Sequence, residues 1–149
     1  MKRTRYTHFW ATNRPLTEKE WYALSKDLKR ICKTADELAL ILIKQVGNDS
    51  SIRVDAHEPH DGSLFVLTPE PVSFAYCCTN WEPYDVLVTA SLLVAKRRLP
   101  DWIKLTSDGL WDAWSDGRAL CSAILDYGVE DFERAKRDFD ELLEGEDVL

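Results

Sequence analysis

Residues 84–98 read Tyr-Asp-Val-Leu-Val-Thr-Ala-Ser-Leu-Leu-Val-Ala-Lys-Arg-Arg. On a helix, Val86, Val88, Ala90, Leu92, Leu93, Val94 and Ala95 leave almost no polar side, and a helix apolar nearly all round is a buried one. Pro83 stands where a first-turn proline belongs. Lys96-Arg97-Arg98 suits the negative pole of the helix dipole at the other end. A helix hidden on every side needs other elements packed around it, so this stretch predicts the centre of a layered domain.

The flanking text supplies those layers. Upstream, Ile52–Ala56 alternates apolar and polar, and Ser63–Leu67 and Val72–Cys78 read as further strands. Their short connections, through Asp61-Gly62 and Pro69-Glu70-Pro71, predict an antiparallel meander, because parallel crossovers need more chain. Downstream, Trp102–Thr106 is expected as a short strand. Leu110–Tyr127 reads as a helix with Trp114, Leu120, Cys121, Ile124 and Leu125 inward. A glycine inside a helix costs about 1 kcal/mol relative to alanine, so Ser115-Asp116-Gly117 marks a place for a break. Val129–Leu143 predicts a last amphipathic helix carrying Phe132, Ala135, Phe139 and Leu142, with residues 144–149 as a frayed acidic tail.

At the other end, residues 5–12 are aromatic and β-branched and read as a first strand. Thr17-Glu18-Lys19-Glu20 is a capping box, with Leu16 and Trp21 placed as a hydrophobic staple. Trp21, Leu24, Leu28, Ile31 and Cys32 then fall on one helical stripe. Thr34-Ala-Asp-Glu37 repeats the capping pattern and predicts a second, shorter helix to about Lys44, although Leu40–Ile43 suits a strand equally. The whole predicts one α+β domain over residues 1–149, a small, mostly antiparallel sheet with helices packed on one face.

The chain has 149 residues, is 45% hydrophobic and 30% charged, and carries a net charge of −7. That length builds a core without disulfide or metal staples, and the charge lacks the basic footprint of a nucleic-acid partner. Residues 1–34 hold nine Lys or Arg against three Asp or Glu, and residues 130–149 three against nine. Cysteines 32, 77, 78 and 121 form no CxxC spacing, and no apolar run approaches the roughly 18 residues of a membrane span. The expectation is a cytoplasmic protein with reduced thiols and no membrane partner.

Three stretches could carry chemistry. Asp55-Ala-His57-Glu58-Pro-His60-Asp61 gathers imidazoles and carboxylates, donors that suit a divalent metal, with Asp55, His57 and His60 as candidate ligands. Pro59 rules out a helical HExxH arrangement, so no cofactor is the leading expectation and a divalent metal the alternative. Thr79-Asn80-Trp81-Glu82-Pro83-Tyr84-Asp85 turns a strand into a helix, where outward-pointing amides can take an anion or simply be capped. Ser107-Asp108-Gly109 is a further polar turn. Cys77 and Cys78 read better as small buried hydrophobes than as nucleophiles. No phosphate-loop, GxGxxG, GxSxG or kinase signature is present.

The run Cys77-Cys78-Thr79-Asn-Trp-Glu-Pro83-Tyr84-Asp85, the apolar helix after it and Ser107-Asp108-Gly109 resemble a group of small uncharacterised proteins of bacteriophages and bacteria. That group carries Cys-Lys-Thr-x-x-x-Pro-Tyr-Asp, often with a His-Glu pair upstream, here His57-Glu58, and a Ser-Asp-Gly turn downstream. The resemblance covers roughly residues 55–115. Cys78 stands where the group has lysine and Glu82 where it has a basic residue, so an anion held by that lysine would be lost or exchanged here. The resemblance implies a ligand site at His57, Glu58, Thr79, Tyr84, Asp85, Ser107 and Asp108, and an accessory or host-interaction role.

Two functions are therefore expected in competition. One is a non-catalytic binding protein for a protein or small-molecule ligand, which requires an exposed apolar patch. The other is a small hydrolase or nucleotide-processing enzyme with His57, Glu58, Tyr84, Asp85 and Asp108 in one pocket. They separate on whether the loops at 57–61, 79–85 and 107–109 meet.

Overall fold

The computed structural model describes residues 5–37, 43–45 and 50–147. Along them run β1 (Thr7–Thr12), α1 (Glu18–Glu37), β2 (Ile43–Gln45), β3 (Ile52–Ala56), β4 (Phe65–Leu67), β5 (Ala75–Cys78), α2 (Asp85–Arg98), β6 (Ile103–Ser107), α3 (Ser115–Leu125) and α4 (Glu133–Asp147). Single 3-10 turns, Trp111–Trp114 and Val129–Phe132, precede α3 and α4. The class is α+β, with helices packed against antiparallel sheet, as expected.

The strands form two small sheets, β5-β1-β6 and β2-β3-β4. The expected meander over residues 52–78 is therefore split. β3 pairs β4, but β5 leaves to pair with β1, placing His8 opposite Cys77 and Phe9 opposite Tyr76. The cause lies in the connection. Pro69 accepts from the Leu16 amide at 2.9 Å, and Val72 exchanges bonds with Thr12, its carbonyl taking the Thr12 amide and its amide giving to Thr12 Oγ1. The segment is thereby stitched to the end of β1 and does not turn back on β4.

β1 alternates in register. His8, Trp10 and Thr12 are buried on the helix side, while Phe9 and Ala11 face outward and are partly exposed. Phe9 meets Phe74, and Phe74 meets Tyr76, at ring separations of 5.7 and 6.2 Å, and Phe74 and Tyr76 are open to solvent.

α1 starts as its capping box dictates. The Thr17 hydroxyl accepts from the Glu20 amide at 3.1 Å and Glu20 accepts from the Thr17 amide at 3.0 Å. The expected second helix from Thr34 to about Lys44 is not found over its described residues. Thr34–Glu37 are the last turn of α1, which absorbs the second capping pattern, and Ile43–Gln45 pair as a strand with β3. Leu38, Ile41 and Leu42 lie outside the described residues.

α2 is the buried centre, with Leu87, Val88, Ala90, Leu92, Leu93, Val94 and Ala95 at most 1% exposed. The cations at its end fan out to three elements. Arg98 reaches Asp27 of α1, Arg97 reaches Asp131 in the turn before α4, and Lys96 reaches Asp138 of α4 at 2.9 Å. The last pair is buried, and the Lys96 ammonium also donates to the carbonyls of Pro100 and Ile103. α3 begins at Ser115, where the sequence allowed a break. Gly117 is there because a Cβ would overlap Thr89 Oγ1 and lie 3.1 Å from the Ala90 amide, so only glycine lets α3 approach α2 this closely. α4 runs beside β6, and Asp138 accepts from the Leu105 amide at 2.9 Å. It stays helical through Asp147, so the expected frayed tail is helix for residues 144–147.

Candidate functional site

Because β1 is antiparallel to both neighbours, β5 and β6 both end where β1 begins. The turns that follow them, residues 79–85 and 107–109, are thereby brought to the same end of the sheet. His8 joins them. Its Nε2 lies 2.6 Å from Asp85 Oδ1 and its Nδ1 2.8 Å from Ser107 Oγ. Thr79 donates its hydroxyl to the same Asp85 oxygen at 2.5 Å. Ser107 Oγ also accepts from the Gly109 amide at 3.0 Å and from Trp114 Nε1 at 3.3 Å.

The proton positions follow from this network. With two N–H groups donating to it, Ser107 Oγ gives its own hydrogen to His8 Nδ1, and Nε2–H gives to the Asp85 carboxylate. His8 is 0% exposed and wholly satisfied in that tautomer. Two rings wall it edge-on, Tyr6 at 4.7 Å and Trp114 at 5.0 Å. Tyr6 is covered by Trp81, stacked at 3.5 Å, and its phenol is pushed up to about 12, first by burial and then by the charge of Asp85. Gly109 makes room for that ring, since a Cβ there would sit 2.5 Å from the Tyr6 hydroxyl. Asn80 and Trp81 hold left-handed backbone, φ 52 and 65. Asn80 Oδ1 fixes the turn by accepting from the Tyr6 amide at 3.2 Å and from the Cys78 thiol at 3.0 Å.

The loop at 57–63 joins from the other side. His60 Nε2 lies 2.8 Å from Glu82 Oε2, and Tyr84 donates its hydroxyl to the Ser63 carbonyl at 2.7 Å. Burial holds the Tyr84 phenol far above its ordinary range. Asp55 accepts from Ser63 Oγ at 2.6 Å, and Asp108 accepts from the Thr7 amide at 3.0 Å.

The candidate residues thus separate into groups. Thr79, Asp85 and Ser107 meet around His8, with Asp108 bound next to it on β1. Tyr84, Asp55 and His60 brace the 57–63 loop. His57 and Glu58 are exposed and join neither group. Among the described residues, no three His, Cys, Asp or Glu side chains are disposed to hold a metal. The amides expected to receive an anion at the start of α2 are taken, since those of Asp85, Val86 and Leu87 donate to the carbonyls of Glu82, Pro83 and Tyr84. The cysteines are all buried and free, and burial pushes the Cys77 thiol up to about 12.

Sequence reasoning missed His8. Its signal was the alternation of the first strand, in which Tyr6, His8, Trp10 and Thr12 share one side, so an imidazole stood between two aromatic residues in the inward register.

It also missed a second place. Between α3 and the start of α4 lies a cavity of about 460 Å³, walled by Trp111, Tyr127, Val129 and Phe132. That volume falls in the range of small-molecule sites. Arg118 lies over the Trp111 ring, its Cζ 4.3 Å from the centroid, and donates through Nη1 to the Trp111 carbonyl at 2.7 Å. No carboxylate among the described residues pairs with it. Partial burial lowers its pKa, and nearby Asp112 offsets some of that. Lys136 and Glu133, both from α4, complete the charged lining.

No helix among the described residues is long and apolar enough to cross a membrane. Comparison with known proteins finds no family model, no curated protein and no solved structure that matches this chain.

Proposed function

We propose that the protein is a non-catalytic binding protein whose ligand enters the cavity between α3 and the start of α4. Arg118 carries this proposal, as a guanidinium left without a described carboxylate partner at the rim of an apolar recess. Arginine on an aromatic face is a common anchor in recognition sites. The polar atoms around His8 support it from the other side, because they are used up in holding three strands and a helix together. An accessory role, of the kind implied by the resemblance to small phage and bacterial proteins, needs binding alone.

One observation favours a hydrolase, namely the Ser107–His8–Asp85 sequence of contacts, which has the residue types of a nucleophilic triad. Two N–H donors already occupy Ser107 Oγ, however, and His8 is sealed from solvent. Attack by Ser107 would require one of those bonds to be given up.

The cavity is tested by filling it. Ala119 is exposed and lines it. A fragment library is screened by ligand-observed NMR against the wild type and Ala119→Trp. Fragments that bind the wild type and are lost by a variant of unchanged Tm are expected. Binding that survives the tryptophan, or a wild type that binds no fragment, overturns the proposal.

A further inference from the structure

We infer that this cavity takes a carboxylate carried on a flat, apolar body. Arg118 would hold the carboxylate, and Trp111, Tyr127 and Phe132 would flank the ring. The inference rests on the cavity being the ligand site.

The first ground is the state of the guanidinium. Arg118 has five N–H donors, and Nη1 spends one on the Trp111 carbonyl. Its Nε/Nη2 edge, the parallel pair that matches the two oxygens of a carboxylate, has no partner among the described residues. The acidic side chains of α4 and of the turn before it pair with other cations. Asp131 is taken by Arg97, Asp138 by Lys96 and Asp140 by Lys136. Arg118 is thus left without an ion pair, with Asp112 acting on it through charge alone.

The second ground is the shape and fixity of the site. The guanidinium lies on an indole and is tied to that indole's own carbonyl, so its plane is set before any ligand arrives. Phe139 braces Trp111 at 5.3 Å, and Tyr127 meets Phe132 edge-on at 5.9 Å. These rings present rigid faces, which favour planar groups. The third ground is the charge balance of the walls. Lys136 is held by Asp140, which leaves Arg118 as the cation among the described lining residues without a carboxylate partner, against a single lining acid, the exposed Glu133. An anion bearing a ring is the one chemistry that satisfies both the open edge and the apolar walls.

Such a carboxylate occurs on free aromatic acids and at the end of a peptide chain with an aromatic last residue. Calorimetry with 2-naphthoate and 2-naphthamide probes the first source. N-acetylphenylalanine and its amide probe the second. Whichever acid fits is expected to bind roughly tenfold or more tightly than its amide, the scale of a charge-assisted pair. Arg118→Gln is expected to erase that difference at unchanged Tm. Arg118→Lys, which keeps the charge but not the parallel donors, recovers only part of it and serves if the glutamine variant folds poorly. Acid and amide binding equally, both blocked by Ala119→Trp, would leave the cavity as ligand site and sink the carboxylate. Binding indifferent to Ala119→Trp, or no binding by any of the four probes, would sink both.

Discussion

His8 and Asp85 lie 77 positions apart in the chain, and their side chains meet at 2.6 Å in the buried centre of the sheet end. The contact ties the central strand to the first turn of the central helix. Removing the carboxylate leaves His8 Nε2–H and the Thr79 hydroxyl both unsatisfied. Asp85→Ala is therefore expected to cost about 3 kcal/mol, with Asp85→Asn costing less because it keeps an acceptor. Urea unfolding followed by far-UV circular dichroism measures both, and an alanine variant as stable as the wild type would contradict the network described.

Ser107 offers a separate check. With both acceptor sites of its Oγ occupied, it is expected to resist a fluorophosphonate probe under native conditions. Mass spectrometry showing stoichiometric labelling at Ser107 would restore the hydrolase function.

Gly117 predicts a steric result. Gly117→Ala should destabilise by about 2 kcal/mol or more, despite alanine's better helix propensity, because its methyl group overlaps Thr89 Oγ1. Thr89→Ala in the same chain should recover part of the loss. The Ala90 amide, 3.1 Å from the new methyl, keeps the rescue incomplete. A double-mutant cycle reads the coupling directly.

The buried ionisable groups set the alkaline limb of stability. Burial raises Cys32, Cys77 and Cys121 from 9.0 to about 12, and Tyr6 and Tyr127 from 10.0 to about 12. The unfolded chain gives up these protons first, so above pH about 9 it binds fewer than the native state does. Stability is fully present below that pH and is lost as pH climbs towards about 12. Urea midpoints at pH 8, 9.5 and 10.5 should fall in that order. In the native state at pH 8, a thiol reagent such as DTNB should find less than one reactive cysteine, and in denaturant four.

The acid limb has one resolved contributor at the start of α1. Hydrogen bonding by Arg14, then by the Thr17 amide, lowers Glu20 from 4.5 to about 2. A depressed carboxyl contributes stability above its unfolded value and loses it as pH falls from about 4.5 towards 2. Glu20→Gln should flatten that part of the pH profile. The side chain is at the surface, so added salt should shrink the effect.

How much of this was legible in the sequence depends on the range of the forces involved. α1 and α2 were readable because a capping box and an all-apolar stretch are local signals, complete within four residues or four turns. β5 was misplaced because nothing in Val72–Cys78 says which strand it will pair with. That choice is made by bonds from Pro69 and Val72 to Leu16 and Thr12, more than fifty positions away. The convergence of residues 79–85 and 107–109 could be suspected from their polar content. That they meet through His8 could not, because an imidazole in a strand has no local partner that announces it. Arg118 escaped notice for a similar reason, since its partner is the backbone of Trp111 and an unpaired Nε/Nη2 edge is decided by the tertiary fold.

The placement of β1 has a consequence for how the chain is made. Of the three strands in the β5-β1-β6 sheet the middle one is made first, and its two neighbours arrive only with residues 75–78 and 103–107. Until Ser107 emerges, the imidazole at position 8 lacks half of its ligature, and the Leu105 amide of β6 lacks its acceptor until Asp138 is made. This sheet is therefore completed only by segments made well after its central strand.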